Sequence, residues 1–163
     1  MPIYTETQRL RQPIAILPIA LAALICWGIF GQQIVRGKPV GDDPMPDWAA
    51  WLLTALIGVG LPLFFLWFRM ETTVSSDRIE IRMAPFSHRV IRPSEIAGAS
   101  ARTYRPLREY GGWGIRGFSS NRAYNINGNQ GVQLVLTDGK RVLIGTQKPD
   151  ELEAAITSIL PSR

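Results

Sequence analysis

The sequence predicts a membrane α-helical hairpin joined to an all-β barrel that a C-terminal helix closes. Three observations carry this. Ile14–Phe30 and Trp48–Phe68 are long apolar stretches without an Asp, Glu, Lys, Arg or His. From Arg69 onward, short runs alternate polar and apolar residues, the period of half-buried strands. From Asp150 the pattern changes to the 3.6-residue period of an amphipathic helix.

A spanning helix needs about 20 apolar residues at 1.5 Å rise each. Trp48–Phe68 supplies 21 residues and Ile14–Phe30 supplies 17. The uncharged Gly31–Val35 extends the first stretch to about Val35. Pro13 suits a first helical turn, where its missing N–H is not needed. Pro18 and Pro62 fall inside the spans, where membrane helices tolerate proline. Trp27, Trp48, Trp51 and Trp67 fall near the expected ends, where indole rings prefer the headgroup region. A cleaved signal peptide fits the first stretch poorly: it is long for one, and no Ala-x-Ala pattern follows. A buried core hairpin needs more surrounding protein than this chain has. Cys26, the one cysteine, lacks the small preceding residue of a lipoprotein site and reads as a small apolar helix residue. It excludes an intrachain disulfide and a four-cysteine metal site.

The organisation follows. Residues 1–69 are the N-terminal segment and two transmembrane helices, about 13–35 and 47–69; residues 70–163 are a cytoplasmic β-domain. Arg9 and Arg11 precede the first span, and Arg69, Arg78, Arg82, Arg89 and Arg92 follow the second. In the connecting loop Arg36 and Lys38 are offset by Asp42, Asp43 and Asp47. Positive flanks stay inside, so both termini are expected in the cytoplasm of a multi-pass membrane protein. The spans lack the ionisable residues that mark an ion or substrate path, so they read as an anchor. Gly58 and Gly60 are weak evidence of helix packing, since glycine is common in membrane helices.

The β-domain takes shape from local signals. Candidate strands are Met70–Val74, Arg78–Met83, Ser87–Ile91, Ala97–Tyr104, Gly112–Gly117, Arg122–Ile126, Val132–Leu136 and Arg141–Ile144. Asp138–Gly139 is a strong hairpin turn between the last two. The final helix places Leu152, Ile156, Ile159 and Leu160 on one face; Pro149 sits just inside its start, Thr146 or Asp150 is placed to cap it, and Pro161 ends it. About seven short antiparallel strands and a last capping helix match a pleckstrin-homology-like (PH-like) barrel. An OB-like barrel is the nearest rival, but its helix usually falls mid-chain.

Several segments also carry a resemblance. They are Glu109–Arg116 (EYGGWGIR), Ala123–Asn125, Gly128–Asn129 with Gly131–Leu134, Leu143–Thr146, and the start from Tyr4 to Pro13. Together they resemble an uncharacterised group of bacterial two-helix membrane proteins with a PH-like cytoplasmic domain. The resemblance implies architecture and placement in the bacterial inner membrane. It brings no activity, cofactor or catalytic residue.

Residues 1–68 hold four basic and four acidic residues, whereas residues 69–163 hold 14 basic and 9 acidic, so the domain carries the whole net +5. Basic charge near a bilayer suits anionic headgroups, each Lys or Arg being worth about 1 kcal/mol at the surface. No basic run is present, so nucleic acid is not expected as a partner. Tyr104–Gly131 is the densest segment, with six glycines, five aromatic residues and four arginines. Tyr104, Arg105, Arg108, Tyr110, Trp113, Arg116, Arg122 and Tyr124 are the candidate binding surface. The competing reading packs the aromatics in the core and uses the glycines for turns.

Gly112–Gly117 formally matches G-x-G-x-x-G, but no helix follows to make a dinucleotide site. Asn125, Asn127 and Asn129 read as turn residues. His88, the one histidine, has no nucleophile or carboxylate pair nearby in sequence and reads as a surface strand residue. No catalytic residue, metal site or cofactor is expected. The expected function is a non-catalytic, membrane-anchored binding or scaffold protein docking a protein partner or its own copies. The alternative is a peripheral anionic-lipid sensor, and an enzyme acting on a membrane substrate is the remote one. The β-pattern starts at once after Phe68, so the domain is expected to work close to the bilayer surface.

Overall fold

Two apolar sequences form two long helices, α1 (Pro13–Val35) and α2 (Asp47–Trp67). Both are long and apolar enough to cross a membrane, and most of their surface is uncovered in the computed structural model. They pair as a hairpin through small residues. Thr54 Oγ1 donates to the carbonyl of Cys26 at 3.3 Å, and Trp27 Nε1 donates to the carbonyl of Gly58 at 3.2 Å. Cys26, Ala50 and Gly58 are buried at this contact. A side chain at Gly58 would press on Trp27 and Thr54, so the glycine does serve close packing. Trp27 therefore sits within α1 rather than near its end, edge-on to Phe30, which is edge-on to Trp51. Each helix contains a π-helical stretch, Gly31–Val35 and Thr54–Gly60.

The structure describes residues 1–118 and 120–161. Leu10–Trp67 form the helical unit, and Met1–Arg9 join Phe68 and the residues after it in a β-rich body. The second membership was not expected. Residues 2–9, read from sequence as part of the N-terminal anchor segment, form strand β1 (Pro2–Arg9). It pairs antiparallel with β2 (Arg69–Ser75), with Arg9 opposite Arg69. The helical hairpin is thus an insertion between two paired strands.

Sheet one continues to β3 (Ile79–Ala84) and β4 (Ser87–Ile91), in order β1-β2-β3-β4. Its inner face follows from alternation: Tyr4 and Gln8, then Met70, Thr72 and Val74, then Ile79, Ile81 and Met83, and Ile91 are all buried. Sheet two has β5 (Ile96–Thr103), β6 (Gly114–Phe118), β7 (Asn121–Asn125), β8 (Gln130–Leu136) and β9 (Arg141–Gly145). Its order is β5-β8-β9-β7-β6. Gly139 makes the β8–β9 turn with φ +82°, a backbone that a side chain would strain.

Two features differ from the sequence expectation. Among the described residues the strands form two sheets, of four and five, rather than an evident single barrel of about seven. One pair, β7 with β9, is parallel. A parallel pair arises from a crossover, and strand-by-strand alternation carries no information about crossovers.

A short helix α3 (Pro106–Tyr110) and the last helix α4 (Pro149–Ile159) complete the body. In α4, Leu152, Ala155 and Ile156 are buried. Pro149 occupies the first turn as expected, but neither Thr146 nor Asp150 caps the helix. Thr146 is instead buried, and its Oγ1 bonds to Tyr4 Oη and Glu6 Oε2. Glu6 Oε1 accepts from the N–H of Gln147 at 2.9 Å, and Gln8 Nε2 donates to the carbonyl of Gly145 at 2.8 Å. Alternate polar residues of β1 are therefore locked to the chain that leads into α4.

Leu152 is fully buried, so Leu152→Ala is expected to cost about 3 kcal/mol through a cavity under α4. Urea unfolding of the detergent-solubilised chain, followed by amide exchange in β8 and β9, measures it; a loss under about 1 kcal/mol would mean that α4 is only loosely docked.

Candidate functional site

The Tyr104–Gly131 segment comprises α3 and strands β6 and β7, with β6 at the edge of sheet two; Ser119 within it lies outside the described residues. Pro106 starts α3 because proline tolerates a first helical turn, and Gly111 ends it in the left-handed conformation at φ 71°. The Arg105 N–H donates to Glu109 Oε1 at 2.7 Å, and Glu109 also pairs with the Arg102 guanidinium. The Arg105 bond first, and then the Arg102 pair, hold the Glu109 carboxyl below its ordinary value against the opposing effect of burial. One turn of helix is thereby tied at its N-terminus to the end of β5.

Chain direction then decides where the aromatics go. Tyr104 and Tyr110 meet edge-on, 6.0 Å apart, and form a buried cluster with Ala123 of β7 and Leu143 of β9. Residues on either side of Leu143 are buried too, so β9 is covered on both faces. Asn125 is fully buried and joins three pieces. Its Nδ2 donates to Tyr104 Oη at 3.0 Å, and its Oδ1 accepts from the Gly114 N–H at 3.0 Å. Tyr124 points to the opposite side of β7, where Arg89 of β4 lies 5.9 Å over its ring. At the edge, Gly117 has φ +86°, and a side chain there would overlap the Asn121 carbonyl.

Of the eight candidate surface residues, Tyr104, Tyr110 and Tyr124 are therefore buried and pack the body rather than face solvent. Arg122 and Trp113 are half-buried. Trp113 Nε1 donates to the Gly128 carbonyl at 2.9 Å, and the Trp113 carbonyl accepts from Arg116 Nε at 2.9 Å. Arg105, Arg108 and Arg116 are exposed. The sequence reading missed Leu107 and Phe118, which are 63 % and 86 % exposed beside these arginines.

Two hollows border the segment. One, of about 400 Å³, is lined by Glu109, Tyr110, Ile115, Arg116, Gly117, Phe118 and Asn121. The other, of about 290 Å³, is lined by Phe68, Met83, Phe86, Trp113, Gly114, Ile115 and Arg116. Arg116 borders both. Gly112–Gly117 runs into strand β6, which continues to β7. His88 lies exposed on β4 with Nε2 3.6 Å from Glu80 Oε2. Among the described residues, no three His, Cys, Asp or Glu side chains converge as a metal site would require.

The class so defined is a two-sheet body with a C-terminal helix and an inserted pair of long apolar helices. A family model described as a family of unknown function (DUF6141) matches residues 2–163, and the chain belongs to that family. This agrees with the expectation of an uncharacterised family carrying two apolar helices. Comparison with curated proteins gives no match.

Two outcomes follow from the buried tyrosines. Asn125→Ala leaves the Gly114 N–H and the Tyr104 hydroxyl without their partner and is expected to cost about 2 kcal/mol in urea unfolding. Burial raises the Tyr4, Tyr104 and Tyr110 phenols above their ordinary value of 10.0. A raised folded pKa means stability present below the unfolded value and lost as pH rises above it. Unfolding free energy should therefore fall above about pH 10, and tyrosinate absorbance should develop later than in the urea-unfolded chain.

Proposed function

We propose that the protein is a non-catalytic binding or scaffold module anchored in the bacterial inner membrane, whose PH-like body docks a protein partner at the cytoplasmic face. The observation that carries this is the outcrop formed by α3 and β6. Arg105, Leu107, Arg108, Arg116 and Phe118 are exposed there, over a buried tyrosine base. An exposed apolar side chain between arginines is the composition of an interface with an acidic, partly apolar surface. The hydrogen-bonded base pre-organises that surface, which reduces the ordering cost of binding.

The PH-like description is supported by two sheets followed by a last helix whose apolar face is buried. The cytoplasmic placement of both termini is supported by the arginines flanking the spans. The alternative, an anionic-lipid sensor, is favoured by one observation: residues 69–163 carry the chain's whole net charge of +5. An enzyme acting on a membrane substrate would require a convergent set of catalytic side chains in one of the two hollows.

The test is affinity purification of the full chain from native membranes. A defined partner should co-purify with the wild type and be reduced at least about tenfold by Arg105→Glu with Arg108→Glu, since two charge reversals at an interface cost more than 1.4 kcal/mol. Asp77→Ala, in the distant β2–β3 turn, should leave recovery unchanged. Equal recovery from all three chains would overturn the assignment of this surface.

A further inference from the structure

One end of the β-body differs from the rest. Arg9 and Arg69 are cross-strand partners there, and Ala84 pairs with Arg69 on the other side. Both chain links to the helices leave from this pair: residues 10–12 lead into α1 at Pro13, and Phe68 alone separates Trp67 from Arg69. Three aromatic residues gather at the same end. Phe68 meets Phe86 at 6.0 Å between ring centroids, and Phe86 is 65 % exposed. Trp113 joins them around the hollow of about 290 Å³ and is fixed by its bond to the Gly128 carbonyl. Arg116 borders this hollow, its guanidinium Nε donating to the Trp113 carbonyl, and Arg9 is exposed at the strand end. At the opposite end of the same sheet the β2–β3 connection is Ser76, Asp77 and Arg78, all exposed and none aromatic.

A globular domain gains nothing by leaving a phenylalanine in the turn after β3 exposed to water. Burying that ring in another medium would recover the hydrophobic cost of its exposure. Aromatic rings with arginines beside them are the residues that settle at the headgroup level of a bilayer. The covalent links put the ends of two apolar helices within one to three residues of this end of the sheet.

We infer that this end of the body, formed by Phe68, Phe86, Trp113, Arg116 and Arg9, is a lipid-contacting surface that rests in the headgroup layer and selects anionic phospholipid. Phe86 and Trp113 enter the boundary between headgroup and acyl chain. The guanidinium groups of Arg116 and Arg9 take the headgroup phosphates. The inference rests on reading α1 and α2 as spans. It deepens the lipid alternative by naming the surface; it takes Arg116 from the outcrop and leaves Arg105, Leu107, Arg108 and Phe118 to a protein partner.

The test uses the full chain with Cys26→Ala, reconstituted in phosphatidylcholine vesicles with and without phosphatidylglycerol and doped with a nickel-chelating lipid headgroup. Single spin labels are placed by Phe86→Cys, Ser76→Cys and Leu24→Cys. Ser76 lies at the far end of the β2–β3 hairpin, about 20 Å along the strands from the Arg69 end. Collisional relaxation by the headgroup nickel should be several-fold greater at position 86 than at 76. The difference should grow with phosphatidylglycerol and shrink with Arg116→Glu, while the label at 24 shows the high oxygen access of a bilayer interior. Equal relaxation at 86 and 76 with position 24 inside the bilayer overturns this inference alone. So does proximity that is indifferent to phosphatidylglycerol. A water-exposed label at 24 overturns the spans as well.

Discussion

The pairing of β1 with β2 is the constraint on which the rest of the architecture depends. Seven aligned residue pairs and a bulge join two strands that the whole helical hairpin separates in sequence. Closing so long a connection is entropically costly for a flexible chain. Two helices packed through Cys26, Thr54 and Gly58 reduce that cost, because a helical hairpin returns the chain near its start. Once in place, β1 presents Tyr4, Glu6 and Gln8 inward to Thr146, Gln147 and Gly145. The last helix is thus bracketed by a strand from the beginning of the chain.

What the sequence disclosed, and what it concealed, follows from the range over which each signal acts. The two apolar helices were legible because transfer from water depends on local composition. Strands β2, β3, β8 and β9 were legible from alternation and from the Asp138–Gly139 turn. Strand β1 was not, because two of its inward residues, Glu6 and Gln8, are polar. Their partners lie near residue 146 and only the folded state brings them close. The parallel meeting of β7 and β9 was hidden for the same reason. Helix α3 is one turn long, too short for any period to be read. Within the candidate site, aromatic and arginine content located the segment but not the direction of each ring. The orientation of Tyr104 and Tyr110 depends on where α3 is tied, through Arg102 and Glu109, and that contact has no signature in spacing.

Membership of a family of unknown function places the weight of interpretation on geometry. The geometry separates two kinds of surface within one short segment. The tyrosines and Asn125 make an inward, hydrogen-bonded base, whereas the side chains of Arg105, Leu107, Arg108 and Phe118 make an outward, exposed face. Trp113 and Arg116 stand where this segment meets the strand ends from which the helices depart. A single stretch of chain therefore supplies both core packing and exposed surface.

The insertion of the helices between paired strands has a consequence for biosynthesis. Strand β1 cannot find its neighbour β2 until the entire hairpin between them has been made. On the two-span reading, a chain with only one helix across the bilayer would leave β1 and β2 in different compartments. Glu6 and Gln8 would then never reach the residues around Thr146, and the first sheet would stay incomplete at its edge. On that same reading, a complete first sheet requires both helices to have crossed, since only then do β1 and β2 share one compartment.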